Sequence, residues 1–135
     1  MLYGEEHVRR YEETDGEEGY YFGDHGAPIL ILTTVGRKSG EERKNALIYQ
    51  EVDGGYAVVS SNGGAAAHPG WHFNLLADPE VKVQIKGDRF VARARVADGE
   101  ERAGIWAQMT KVWPAYDDYT QRTDREIPVV VLERV

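Results

Sequence analysis

Hydrophobic and polar positions divide this chain into short extended runs separated by glycine-rich turns. Ile29–Val35 is a continuous apolar, β-branched run, which predicts a strand buried on both faces. Gly36–Gly40 turns it into a second extended run, Arg43–Glu51. Asp53-Gly54-Gly55 is a hairpin signal leading into Tyr56–Ser61. Three strands joined by tight turns suggest an antiparallel meander. Further on, Val81, Val83 and Ile85 alternate with Lys82, Gln84 and Lys86, the mark of a half-buried strand. Gly87-Asp88 turns into Phe90–Val96, with Phe90, Ala92, Ala94 and Val96 on one face and Arg93 and Arg95 on the other. Val129–Leu132 reads as a terminal strand.

Helical signals are fewer. Residues 1–20 are polar and acid-rich, with a short helix expected around Glu5–Glu13 that would suit a solvated segment or flap. A short helix is expected near Trp71–Ala77, stopped by Asp78-Pro79. Asp98 and Glu101 have capping-box-like spacing. Ile105, Trp106, Met109 and Val112 then give an apolar stripe that ends at Pro114. Six strands and two or three helices, without regular βαβ alternation, point to an α+β fold built on an antiparallel barrel or sheet. At 135 residues the chain is expected to form one domain.

Composition narrows the function. With 16 Lys+Arg against 23 Asp+Glu, the net charge of −7 argues against general nucleic-acid binding. No apolar run approaches a membrane span, and no signal peptide is evident, so a cytoplasmic protein is expected. Cysteine is absent, which removes disulfides, thiol catalysis and Cys-based metal sites.

Against this acidic background, Arg37, Lys38, Arg43 and Lys44 make a local cationic spot around Gly36-Arg37-Lys38-Ser39-Gly40. Glycines there free the backbone to present N–H groups, and Arg, Lys and Ser add charge-assisted donors for an anionic ligand. A solvated hairpin turn would read the same way. Ser60-Ser61-Asn62-Gly63-Gly64 ends a strand in small polar residues, which lets a flat ligand approach the backbone; a loop serving topology alone is the other reading. Ala65, Ala66 and Ala67 leave room beside it. His68 and His72 have the spacing of two metal ligands, but Pro69-Gly70 interrupts them and no third ligand stands out. Trp71 reads first as a core anchor. Tyr116 and Tyr119 share one face if helical, near Trp113 and the acids Asp117, Asp118 and Asp124. They are open to a role as hydrogen-bond or proton donors, or as a packed aromatic lid. With no evident nucleophile, this set suits chemistry performed by a bound cofactor.

These residues fall into a recognisable series. Leu32-Thr33-Thr34-Val35-Gly36-Arg37-Lys38-Ser39-Gly40 with Arg43, then Ser61-Asn62-Gly63-Gly64, then His68-Pro69-x-Trp71-x-x-Asn74-Leu75, then Asp78-Pro79-Glu80-Val81 follow in order. Pro114-x-Tyr116-x-x-Tyr119-x-x-x-Thr123-Asp124-Arg125-x-Ile127-Pro128-Val129 completes them. Across about residues 8 to 133 the chain resembles the deazaflavin (coenzyme F420)-dependent nitroreductase and quinone reductase family. The resemblance implies a six-stranded antiparallel split β-barrel that binds F420, a deazaflavin with a phosphate and an oligoglutamate tail. It implies that Arg37, Lys38, Ser39 and Arg43 hold the anions, and that Ser61, Asn62, Gly63, Gly64 and Trp71 border the ring. Tyr116 and Tyr119 would edge the acceptor pocket, with Ser61 facing the acceptor. The implied reaction passes a hydride to a quinone, a nitroaromatic or an activated enone, with a proton from solvent, Tyr116 or Ser61. FMN in the same fold, and a non-catalytic deazaflavin carrier, are the alternatives. Relatives commonly have Pro at the position of Ala46, Lys at Ala67 and Tyr at Trp113. Oligomeric state and peripheral membrane contact stay open.

Overall fold

The computed structural model describes residues 4–23, 26–65 and 67–135; Met1–Tyr3 of the N-terminal segment and Ala66 of the small-residue loop lie outside them. Eight strands and four α-helices follow one another. Helix α1 (Gly4–Thr14) precedes β1 (Tyr21–Phe22), β2 (Ala27–Val35), β3 (Glu42–Ile48), β4 (Gln50–Val52) and β5 (Gly55–Val59). After a 3₁₀ turn at Asn62–Gly64 come α2 (Gly70–Ala77), β6 (Glu80–Ile85) and β7 (Asp88–Val96). Then follow α3 (Gly99–Val112), α4 (Ala115–Thr120) and β8 (Val129–Arg134).

The strand pairs are antiparallel and run β1-β2-β6-β7-β8-β5-β4, with β3 also paired to β2. The expected Arg43–Glu51 strand is therefore two strands. It breaks at Tyr49, so its first half pairs with β2 and its second with β5. That break, with the two-residue β1, raises the count from six to eight. It also replaces the expected meander. One bent run of chain bridges the two ends of a curled sheet.

The continuous apolar runs are explained by burial on both faces. Leu30 and Leu32 of β2 point into the curl with Val58, Val81, Val83, Val130 and Leu132, where Trp71 and Leu75 of α2 join them. Ile29 and Ile31, on the opposite face, pack under Val8 and Tyr11 of α1. Similarly, Ala57, Val59, Val129 and Val131 turn outward beneath Ile105, Met109 and Tyr116 of α3 and α4. Each fully buried Leu or Val contributes roughly 1.5–3 kcal/mol through removal of apolar surface from water.

Three local expectations change. Helix α1 is not a solvated flap: Tyr11 is wholly buried, and its hydroxyl donates to the Ile29 carbonyl (2.8 Å) while accepting from the Lys86 N–H (2.8 Å). Burial pushes that phenol up to about 12. Asp98 precedes α3 but makes no side-chain cap; Glu101 instead forms a two-pronged pair with Arg95 (2.6 and 2.7 Å), a stronger partner than a backbone N–H. At the end of β7 the alternation slips, so Val96 is exposed and Ala97 takes the buried place. Among the described residues no helix is long and apolar enough to cross a membrane.

Candidate active site

Between α1, the β2–β3 turn, the end of β5, the start of α2 and the α3–α4 corner lies a cavity of about 940 Å³, at the large end of small-molecule sites. Its wall has three chemically distinct parts.

The first is the turn after β2. Gly36 N–H donates to the Glu41 carbonyl (2.7 Å) and Gly40 N–H to the Gly36 carbonyl (2.8 Å). Gly40 has φ +71°, which favours glycine, and a Cβ on Gly36 would press against Ser39 Oγ at 2.7 Å. Ser39 Oγ accepts the Glu41 N–H (3.2 Å), which leaves its own proton to donate. Lys38 is exposed and bonds to none of the described residues. Arg43 stands 3.6 Å from Glu41 in a solvent-facing pair, and Lys44 is bound to Glu12 at 2.7 Å. Arg37 is committed elsewhere. Its Nη1 donates to Asn74 Oδ1 (3.0 Å) and toward the Gly70 carbonyl (3.4 Å), and its guanidinium lies over Phe73. Asn74, buried, also accepts the Arg37 N–H (3.2 Å) and donates to Thr34 Oγ1 (3.1 Å). Arg37 and Asn74 thus rivet the turn to α2.

The second part is the shelf at the end of β5. Ser61 and Asn62 line the cavity, and Gly64 is not among its described lining residues. Gly64 serves another purpose: at φ +82° its Cβ position is 3.1 Å from the Tyr119 carbonyl, so the 3₁₀ turn abuts α4 closely. Asn62, itself at φ +48°, spends its amide on the Ala67 carbonyl (3.1 Å). Arg125 secures the whole shelf. It donates to the carbonyls of Ser61 (2.7 Å) and Ala65 (2.9 Å) and to His68 Nδ1 (2.9 Å). Because a guanidinium has no acceptor, His68 Nδ1 is unprotonated; burial and the Arg125 charge hold that histidine below its ordinary range. His72, buried and 2.9 Å from Ser60 Oγ, is lowered to about 4 by burial, helped by His68 and Arg125. The two histidine rings, His72 buried and His68 half-buried, lie 4.5 Å apart and each is hydrogen-bonded within the protein. Among the described residues no cluster of three His, Cys, Asp or Glu could hold a metal ion. Trp71 both lines the cavity and belongs to the core.

Aromatic residues form the third part. Trp113, Tyr116 and Tyr119 line it from the α3–α4 corner, and Tyr116 and Tyr119 are packed edge to face at 6.1 Å. Burial, with Tyr119 beside it, raises the Tyr116 hydroxyl well above the usual tyrosine range. Trp113 Nε1 donates toward Tyr119 Oη at 3.4 Å. Phe22 packs on Trp113 at 5.6 Å, and Gly23 lies so close that a Cβ there would be 2.8 Å from the indole.

Comparison with known proteins names this arrangement. The family model for F420H2-dependent quinone reductases matches residues 3–134. The chain belongs to that family. It is 35% identical over 132 residues to an F420H2-dependent quinone reductase of Mycobacterium tuberculosis, spanning 95% of this chain and 87% of the relative. A solved F420H2-dependent reductase superposes with a TM-score of 0.72 at 42% identity, covering 78% of this chain and 94% of that one. A domain-swapped dimer superposes at 0.74 and 38% identity, covering 93% and 96%. The heme storage protein HutZ of Vibrio cholerae, at 19% identity and 0.64, shares the fold alone. The protein is therefore an F420H2-dependent oxidoreductase, and F420 is its cofactor. Family membership displaces both the FMN and the carrier alternatives.

The wall suits such a cofactor: the unpaired cation Lys38, a small-residue shelf and aromatic rings line one cavity. Sequence reasoning assigned no role to Asn74, Arg125 or the inner face of α1. Asn74 and Arg125 stand inside the motifs quoted above, and His7, Val8 and Tyr11 recur at helical spacing. Those signals were present.

Proposed function

We propose that the enzyme reduces a quinone, with nitroaromatics and activated enones as further acceptors, using the cavity wall in the three divisions described. Lys38, Ser39 and Arg43 hold the phosphate and tail anions of F420, and Arg37 keeps their turn in place through Asn74. Ser61, Asn62 and Trp71 border the deazaflavin, with Arg125 fixing the Ser61 carbonyl and hence the shelf. Trp113, Tyr116 and Tyr119 border the acceptor. One observation carries this reading: anion-binding turn, shelf and tyrosine pair all line one cavity.

Bound F420H2 supplies the hydride. The chain supplies the rest. The shelf sets the approach of the two rings, and a short reach between them lowers the barrier by orientation. Tyr116, held neutral by burial, donates a hydrogen bond to the acceptor oxygen as negative charge develops there.

Titration of the purified protein with F420 and, in parallel, FMN is the direct test, followed by turnover of a quinone panel that includes menadione. F420 is expected to bind and menadione to be reduced. Failure of F420 to bind at tens of micromolar would sink the site assignment.

A further inference from the structure

One buried histidine lines this cavity and has no role in the scheme above. His7 lies on the inner face of α1, is 3% exposed, and shares the wall with Val8 and Phe22. Among the described residues it is the only histidine there.

The hydrogen bonding of its ring is settled on one side. Nε2 is 2.7 Å from the Gly19 carbonyl oxygen, which can only accept. Nε2 therefore carries hydrogen in both charge states, and the proton that comes and goes belongs to Nδ1. No described residue bonds to Nδ1. Packing fixes the ring as well. It stacks on Phe22 at 5.9 Å with the planes 15° apart, Phe22 packs on Trp113, and Trp113 reaches Tyr119. An aromatic chain thus connects His7 to the tyrosine pair.

We propose that His7 is the general acid of the reduction, giving the proton on Nδ1 to the acceptor oxygen as the hydride arrives. This rests on the acceptor placement proposed above. The step balances. A quinone that gains a hydride, with both its electrons, is a quinol monoanion, and one O–H bond formed at the expense of Nδ1–H completes the quinol. F420H2 is the reductant, as the family's activity requires. His7 is left neutral with Nε2–H still on Gly19, and solvent at the exposed start of α1 returns the proton.

Imidazole suits the task because it is the side chain that ordinarily exchanges a proton near neutral pH. The alternatives fit less well. Tyr116 is held neutral by burial far into the alkaline range, and a serine hydroxyl is weaker still as an acid.

The test has two arms. Nitrogen-15 NMR of histidine-labelled, cofactor-free protein should show neutral His7 as the Nε2–H tautomer, with Nδ1 taking up the proton on acidification. The Nδ1–H tautomer would overturn the proposal without any activity being measured. For the second arm, His7→Gln keeps an amide N–H for Gly19 but has no proton to give. Its menadione turnover should fall by about tenfold or more, while F420 affinity and the thermal midpoint stay at wild-type values. His7→Ala should fall likewise and recover with added imidazole. A Gln variant that turns over like wild type would reduce His7 to a packing residue. Wild-type enzyme that binds F420 but leaves menadione unreduced would instead remove the acceptor placement, and this proposal with it, whatever the tautomer.

Discussion

Individual residues in this site divide into those that hold ligand and those that hold the residues that do. Lys38 belongs to the first kind, being cationic, exposed and bound to none of the described residues. Lys38→Ala should weaken F420 binding by roughly 1–2 kcal/mol, less at high salt because the charge faces solvent. Unchanged affinity in a fluorescence titration would mean that the turn is only a turn. Arg125 belongs to the second kind. Arg125→Met leaves two carbonyls and His68 without their donor. It should raise the KM for F420H2 and lower kcat together, and Arg125→Lys should restore part of both, since an ammonium reaches fewer of the three acceptors at once. Equal kinetics for wild type and Arg125→Met would show that the shelf holds itself. Tyr116→Phe removes one hydroxyl from the acceptor end, so turnover should fall by more than cofactor affinity. Equal losses in both would count against a place beside the acceptor.

Elements were legible where their patterning was local. Helices α2 and α3 and strands β2, β5, β6 and β8 lie where apolar runs, alternation and turn residues put them. Elsewhere a competing contact decided the outcome. Arg95 drew Glu101 away from a capping role, and the curl of the sheet split residues 42–52 at Tyr49. Helix α1 shows the limit most clearly. Its mean hydropathy is low and its composition acidic, yet it supplies His7, Val8 and Tyr11 as one buried stripe. Three inward residues among exposed charges are easily outweighed in an average. Gly23, just past β1, sits against Trp113. Gly23→Ala combines a positive φ with a Cβ 2.8 Å from Trp113. It should displace the indole, raising the quinone KM several-fold with little change in F420 affinity; an unaltered KM would show that the segment yields instead.

At the scale of the whole molecule, the buried histidine beneath the shelf sets part of the pH dependence of stability. The folded protein lowers His72 from an ordinary 6.5 to about 4. Between those values the unfolded chain binds the extra proton and the folded one does not. The contribution is therefore complete above about pH 6.5 and is lost as pH falls toward 4, by on the order of 2–3 kcal/mol. His72→Gln should flatten that part of the curve of urea midpoint against pH. A curve of unchanged slope would place the acid sensitivity in the carboxylates instead. The sequence by itself determined most of the strands and helices, where the cationic turn lies, and the ordered motifs that mark the family, because each is recorded in spacing over a few residues. Tertiary structure alone decided that Arg37 is riveted to Asn74, that Arg125 closes over Ser61, and that His7 faces the cavity. Arg37 and Asn74 are 37 residues apart in the chain, and Arg125 and Ser61 are 64 apart. Local periodicity states that a face is buried. Only the curl of the sheet states against what.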